Sequence, residues 1–157
     1  MSLLAMNVFR AGPEHAEVLG ALHALSFPAP WQEAEFAALL QQPGVAAWIV
    51  IGGIVNEESP EGFILMRAAA DEAEVLTLAV VPELRRKGLA SKLLRQAFET
   101  LKAGKTTRLF LEVAADNAAA CALYARHGFA PCGRRPDYYR SDPAKAPVDA
   151  IMMSRSL

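Results

Sequence analysis

Cysteine is scarce in this chain of 157 residues: Cys121 and Cys132 are the only two. Two cysteines build no disulfide framework, and no Cys/His grouping has zinc spacing, so neither staples nor a metal are expected to hold the fold. Net charge is nearly absent as well. Lys and Arg number 16 against 17 Asp and Glu, a formal charge of −1. That balance argues against a direct nucleic-acid binder, whose affinity comes from neutralising phosphates, while leaving room for a local basic patch. No apolar run approaches the ~18 residues of a membrane span. The start, Met1-Ser-Leu-Leu-Ala-Met-Asn7, lacks the basic stretch and apolar core of a signal peptide. These absences predict a reduced, soluble, cytoplasmic protein with no membrane partner.

What is present fits one globular domain over 1–157. Hydrophobic residues make up 53% and charged residues 21%, with no repeat, low-complexity tract or linker. A chain of this length can bury roughly 68–70% of its unfolded surface. The pattern predicts a strand at Asn7–Arg10, a helix opened by Pro13, a break at Phe27-Pro-Ala-Pro30 and a second helix over Trp31–Leu40. Strands follow at Val45–Val55 and Phe63–Met66, joined by the polar connector Asn56–Pro60, then at Val75–Val81 after a turn at Asp71-Glu72. A helical stripe runs from Leu89 to Leu101, closed by Gly104. Leu109–Val113 reads as a strand covered on both faces, and Asp116 as the N-cap of an Ala-rich helix ending at Gly128. Strands at Phe129–Arg134 and Val148–Met153 flank a turn-rich Pro136–Pro147. The Val75–Val113 crossover implies local parallel pairing, and the hairpins antiparallel pairing elsewhere. The fold class is therefore α/β in the broad sense: a mixed, mostly antiparallel sheet with flanking helices.

The joint Leu76-Thr-Leu-Ala-Val-Val-Pro-Glu-Leu-Arg-Arg-Lys-Gly-Leu-Ala-Ser91 carries the strongest chemical signal. A strand passing through a short loop with one glycine into a helix leaves convergent backbone N–H groups, and Arg85, Arg86 and Lys87 add positive charge. A phosphate or pyrophosphate suits such a site. A solvated basic turn fits the same residues, and the local pattern leaves both readings open. A dinucleotide fingerprint needs three glycines, and only Gly88 is present. Gly104-Lys105-Thr106 is no Walker loop, because Glu99 stands where its first glycine belongs and the Gly-Lys ends a helix.

Arg85-x-x-Gly88-x-Ala90 on this joint resembles the acetyl-CoA signature of the GNAT N-acetyltransferases. Leu109-Phe-Leu-Glu-Val-Ala-Ala-Asp-Asn-Ala-Ala-Ala-Cys-Ala-Leu-Tyr-Ala-Arg-His-Gly-Phe129 resembles the RimI-like branch, the ribosomal-protein alanine N-acetyltransferases. Asp71-Glu-Ala73, Phe27…Pro30-Trp31, Arg134-Arg135 with Tyr138-Tyr139, and Asp149-Ala-Ile-Met-Met153 extend the likeness from about Leu22 to Met153. The resemblance implies the GNAT fold and acetyl transfer from acetyl-CoA to an amine, without metal, by direct attack in a ternary complex. The implied acceptor is a protein N-terminus, with a ribosomal protein as the family's example. By the same resemblance Leu78, Ala79 and Val80 pair through backbone with the pantetheine arm. Arg86, Lys87, Gly88, Leu89, Ala90 and Ser91 hold the pyrophosphate, and Asn117 also contacts the cofactor. Ala90 stands where many members have glycine. Two extra residues near Phe27–Trp31 and the segment Arg140–Pro147 also depart from the pattern.

Two residues stand out on chemistry alone. Glu112 is a carboxylate in an otherwise apolar strand, either buried at a cost, placed beside a cleft, or exposed at an edge. Partial burial would raise its pKa toward that of a useful base. Tyr124, one turn from Ala120 and Cys121, reads alone as a core aromatic. The resemblance assigns Glu112 as general base, acting through water, and Tyr124 as general acid for the departing thiolate. A phenol near ~10 against a thiol near ~8.5 makes that last transfer slightly uphill.

An α-amino group near ~7.7–8.0 is easier to deprotonate than a lysine near ~10.4, which favours an N-terminal acceptor. A small amine or lysine acceptor, or a CoA-binding module without catalysis, are the competing readings. Oligomeric partners, whether none or a second copy, are expected on the outer surface. The remaining candidates read more simply. His15, His23 and His127 are scattered, His127 at a helix C-terminus. Cys121 is a small hydrophobe, Ser26 and Ser91 have no triad context, and Trp31 and Trp48 pack. Phe27–Trp31 also suits a wall of the substrate groove, and Tyr138-Tyr139 either closes over a peptide terminus or forms a hairpin tip.

Overall fold

A computed structural model describes residues 7–52, 59–140 and 142–157. Among these the chain forms β1 (Asn7–Ala11), α1 (Ala16–Ala24), α2 (Glu33–Leu40), β2 (Val45–Ile51), β3 (Gly62–Ala69), β4 (Glu72–Val80), α3 (Leu89–Ala103), β5 (Arg108–Ala114), α4 (Ala118–Arg126), β6 (Ala130–Tyr139) and β7 (Val148–Ser156). The sheet runs β1-β2-β3-β4-β5-β7-β6. Every neighbouring pair is antiparallel except β4 and β5. The mixed sheet is the expected one. Most of the connector expected at 56–60, the end of the strand expected to reach Val55, and the N-terminal segment lie outside the described residues.

Alternation along the central strands builds two cores. Trp48, Val50, Ile64 and Met66 pack on one face against Leu89, Leu93, Leu94, Ala97, Phe98 and Leu101 of α3. Ala47, Ile49, Phe63 and Leu65 pack on the other against Leu19, Leu22 and Phe36 of α1 and α2. Burying a Leu- or Phe-sized side chain contributes about 1.5–3 kcal/mol, so the two layers together fix the sheet between them.

A bulge interrupts β4. Leu65 pairs with Thr77 but Met66 with Val75, leaving Leu76 as an extra residue. Side-chain parity therefore flips. Ala73 and Val75 join the α3-side core before the bulge, and Leu78 and Val80 join it afterwards, while Leu76 and Ala79 pack with α1 and α2. A bulge bends its strand and increases twist. The Thr77 hydroxyl is left buried with no hydrogen-bond partner among the described residues.

Three expectations need correction. The N-cap of α4 is Asn117, whose Oδ1 accepts from the Ala120 N–H at 3.1 Å, not Asp116. The segment opening with Pro136 is not all turn, because β6 continues through Pro136 to Tyr139. Among the described residues β6 is an edge strand, the place in a sheet where prolines such as Pro131 and Pro136 are tolerated. Finally, β5 is not covered on both faces. Leu109, Leu111 and Val113 are buried, while Phe110 and Glu112 are only half-buried on the opposite face.

Candidate active site

β4 and β5 begin as neighbours and then separate. Their pairing covers only Glu72–Glu74 with Arg108–Phe110. Beyond that, β4 stays on β3 up to Val80, and β5 stays on β7 up to Ala114. The flank of β4 that faces β5 thus has no strand partner from Val75 to Val80. Leu78, Ala79 and Val80, the residues expected to pair with a pantetheine arm, lie on this stretch. An extended amide-bearing chain fits there as a substitute strand.

The loop after β4 supplies the second element. A 3₁₀ turn at Pro82–Leu84 leads to Arg86 at φ 64° and Gly88 at φ 86°, and α3 starts immediately after. The left-handed steps turn successive N–H groups inward, and α3 opens with no side-chain cap. Its first donors and its dipole therefore face the loop unpaired. Leu89 is buried, so only its backbone N–H is available, whereas Ala90 and Ser91 are half-buried. Arg86 and Lys87 are exposed around this concavity. These donors suit a pyrophosphate without any metal, and no His/Cys/Asp/Glu grouping able to hold one occurs among the described residues. Arg85 is turned away. Its Nε donates to the Val80 carbonyl and its Nη2 to Ser26 Oγ, each at 3.4 Å, tying the loop after α1 to the end of β4.

Glu112 and Tyr124 stand on opposite faces of the sheet, beside the opening between β4 and β5. Tyr124 belongs to the α3-side core, with its ring edge-on to Phe129 at 5.7 Å, and is 8% exposed. Burial pushes its hydroxyl up to about 12, with smaller pushes from Tyr139 and Cys121. Glu112 is not embedded in apolar surroundings: its Oε1 meets Arg135 Nε at 2.8 Å. Tyr139 connects the two. Its phenol is raised by burial first and by the charge of Glu112 second, and it in turn acts on Tyr124. Sequence reasoning noted Arg135 and Tyr139 only as part of a loop. β6 carries both, and its register on β7 brings them level with β5, where Met152 faces Glu112 and Ile151 faces Arg134. Asp149 braces this hairpin. It accepts from the Asp137 N–H at 2.8 Å and Arg134 Nε at 2.6 Å, which hold its carboxyl below the usual carboxylate range.

Two histidines have partners that the sequence did not reveal. His23 is buried at 3% exposure, accepts the Trp31 N–H on Nδ1 at 3.0 Å and stacks between Phe27 and Trp31. Burial lowers its pKa and Glu35 partly opposes this. Trp31 and Trp48 are indeed packing residues, on different faces of the sheet. His127 does cap α4, but its Nε2 also lies 2.8 Å from Ser91 Oγ across the gap to α3. Tyr138 is 52% exposed at the hairpin.

The comparisons agree with this geometry. The family model described as acetyltransferase (GNAT) family matches residues 16–129. Over 132 residues the chain is 32% identical to a putative ribosomal protein bS18-alanine N-acetyltransferase of Bacillus subtilis, covering 84% of this chain and 83% of that protein. It is 38% identical over 101 residues to the ribosomal protein bS18-alanine N-acetyltransferase of Salmonella typhimurium, covering 64% and 67%. The crystal structure of the ribosomal-protein-S18-alanine N-acetyltransferase from Escherichia coli superposes with a TM-score of 0.86 at 26% identity, covering 97% of this chain and 94% of that one. A splayed β4–β5 pair, a donor-rich loop before α3 and these matches lead to one conclusion: the chain belongs to the acetyltransferase (GNAT) family and is an enzyme that transfers acetyl from acetyl-CoA to an amine.

Proposed function

We propose that this enzyme acetylates the α-amino group of protein N-termini, with Glu112 as base and Tyr124 as acid, as one domain working as a monomer or homodimer in the cytoplasm. The observation that carries the reading is the opening in the sheet, with a carboxylate on one face and a buried phenol on the other. Acceptor and donor then approach from opposite sides and meet within it. Relatives named for acetylating an N-terminal alanine of a ribosomal protein support a peptide terminus as the acceptor.

The donor, when bound through Leu78–Val80, Arg86–Ser91 and Asn117, supplies an acetyl thioester open to attack by a neutral amine. Glu112, directly or through a water, first takes one proton from the acceptor ammonium, and the neutral nitrogen then bonds to the acetyl carbon. Arg135 holds Glu112 until the amine arrives. Tyr124 delivers its proton to the sulfur as the carbon–sulfur bond breaks, and the second proton shed by the acylated nitrogen restores the phenol. Burial widens the mismatch between this phenol and an ordinary thiol near ~8.5 beyond the slight one expected. The same desolvation disfavours a bare thiolate beside it, so the hydroxyl contributes first as a pre-aligned donor to the developing charge. Asn117 caps α4 through Oδ1, leaving its amide N–H groups for the cofactor.

Peptides beginning with Ala, Ser, Met or Gly, an N-terminally acetylated control and a lysine control test the proposal. CoA release with free N-termini and none with the blocked peptide is expected. Turnover on the lysine control alone would overturn the α-amino assignment.

A further inference from the structure

We propose that His23 is a positioning residue for the acceptor: its neutral ring holds the loop between α1 and α2 against the end of β4, where that loop forms the acceptor-side rim of the opening in the sheet. The inference rests on the acetyl-transfer reading of that opening and adds a residue that itself touches neither substrate. Leu109, Leu111 and Val113 of β5 belong to the α3-side core, so Glu112 looks to the other face, the one that α1 and α2 cover. Ser26 Oγ donates to the Val80 carbonyl at 3.4 Å, and Arg85 Nη2 donates to Ser26 Oγ at the same distance. The loop is thus tied to the last residue of the unpaired β4 flank, on the face that carries Glu112. Of the three large apolar side chains exposed among the described residues, Leu25 and Phe27 are on this loop. The third, Tyr138, lies under the Arg135 guanidinium that meets Glu112. An apolar rim around a carboxylate suits the first side chains of a peptide whose amine is to be deprotonated.

Pro28 and Pro30 have no N–H to donate, and side chains of the flanking helices hold the loop instead. His23 Nδ1 accepts the Trp31 N–H at 3.0 Å, and Glu35 Oε2 accepts the Gln32 N–H at 2.7 Å. The same imidazole stacks on Phe27, with centroids 4.2 Å apart, and on Trp31 at 5.1 Å. One ring therefore grips both ends of the segment Phe27–Trp31. Phe36 of α2 and Phe63 of β3 close around it, and Glu35 is the charged group that acts on it. An Nδ1 that accepts is unprotonated, so this tautomer carries its proton on Nε2. Protonation turns the acceptor into a donor aimed at another N–H and breaks the contact. Burial disfavours the charged ring and outweighs the opposing pull of Glu35. The contact thus persists through neutral pH and fails only below the ordinary histidine range. Its loss frees the loop while β5, β6 and the left-handed steps before α3 stay in place, so acceptor binding is the property it alters.

Steady-state kinetics of the intact enzyme on a peptide beginning with Ala test the assignment. His23→Leu is expected to raise KM for the peptide about tenfold, with kcat at saturation and acetyl-CoA affinity little changed. His23→Asn, whose Oδ1 accepts the Trp31 N–H in place of Nδ1, restores KM at neutral pH. Between pH ~8 and ~5.5, KM rises more steeply for the unmodified enzyme than for His23→Asn, because the acceptor amine titrates identically in both. If His23→Leu does not fold, that pH comparison decides alone. Parallel pH profiles, or a loss of kcat at unchanged KM, overturn the positioning role and leave the acetyl-transfer reading standing. No turnover of any free N-terminus by the unmodified enzyme overturns both.

Discussion

The two walls of the proposed active site are made of different material. The donor wall, from β4 through the loop to α3, is mainly backbone: an unpaired strand flank, two left-handed steps and the first turn of a helix. The acceptor wall is side chain, with Glu112 on β5 meeting Arg135 and Tyr139 of β6. Backbone recognition depends on conformation and tolerates exchange of most side chains, which suits a cofactor common to many relatives. Side-chain recognition depends on which residues the register aligns, and it can change with the acceptor.

That contrast is broken or sharpened by four measurements. Tyr124→Phe removes the proposed acid between the walls and is expected to lower kcat by ~10²–10⁴-fold while leaving acetyl-CoA affinity intact. An unchanged rate removes Tyr124 from the chemistry. Glu112→Gln should lower kcat/KM for an N-terminal peptide by ~10²-fold near neutral pH, a defect that shrinks at higher pH as the amine loses its proton unaided. A pH-independent defect would instead mark Glu112 as a binding group. Gly88→Ala strains the φ 86° step by about 1–2 kcal/mol and should weaken acetyl-CoA about tenfold with kcat at saturation little changed. The reverse pattern, lost kcat at unchanged affinity, would contradict a backbone-built donor wall.

The smallest effect concerns the loop between α1 and α2. His23 is held neutral by burial, so the unfolded chain binds its proton more readily than the folded one. Its contribution is therefore complete above the ordinary histidine value near ~6.5 and declines as pH falls below it. His127 shares that sign. His23→Asn keeps an acceptor for the Trp31 N–H but cannot titrate, so its Tm should fall less steeply between neutral and mildly acidic pH. An equally steep decline would clear His23 of the effect.

The same division explains what the sequence disclosed. The donor loop was legible because its conformation is announced locally, by Gly88 between a strand and the stripe from Leu89 to Leu101. The order of elements was legible for the same reason, since each has its own period. Non-local pairings were not. Nothing in Val75–Val81 marks Leu76 as the extra residue, because every side chain nearby is small or apolar whichever face it takes. The Arg135–Glu112 contact joins positions on strands separated by a helix, and it depends on shifts in the β6 register that a run of exposed residues does not encode. The pairs Ser91–His127 and His23–Trp31 were hidden likewise, since each side chain reads alone as isolated. Asp116 reads as the cap although Asn117 fills that place, because the two residue types cap equally well and the choice depends on where the preceding strand releases the chain.

β6 has a consequence for how molecules meet one another. It ends the sheet, nearly all of it is exposed, and it carries Pro131 and Pro136 together with Arg134 and Arg135. A strand lacking two donors and bearing two cations is a poor template for another chain. Sheet-to-sheet pairing between copies is therefore disfavoured along that border. Residues of the proposed acceptor wall thus also guard one of the two edges of the sheet.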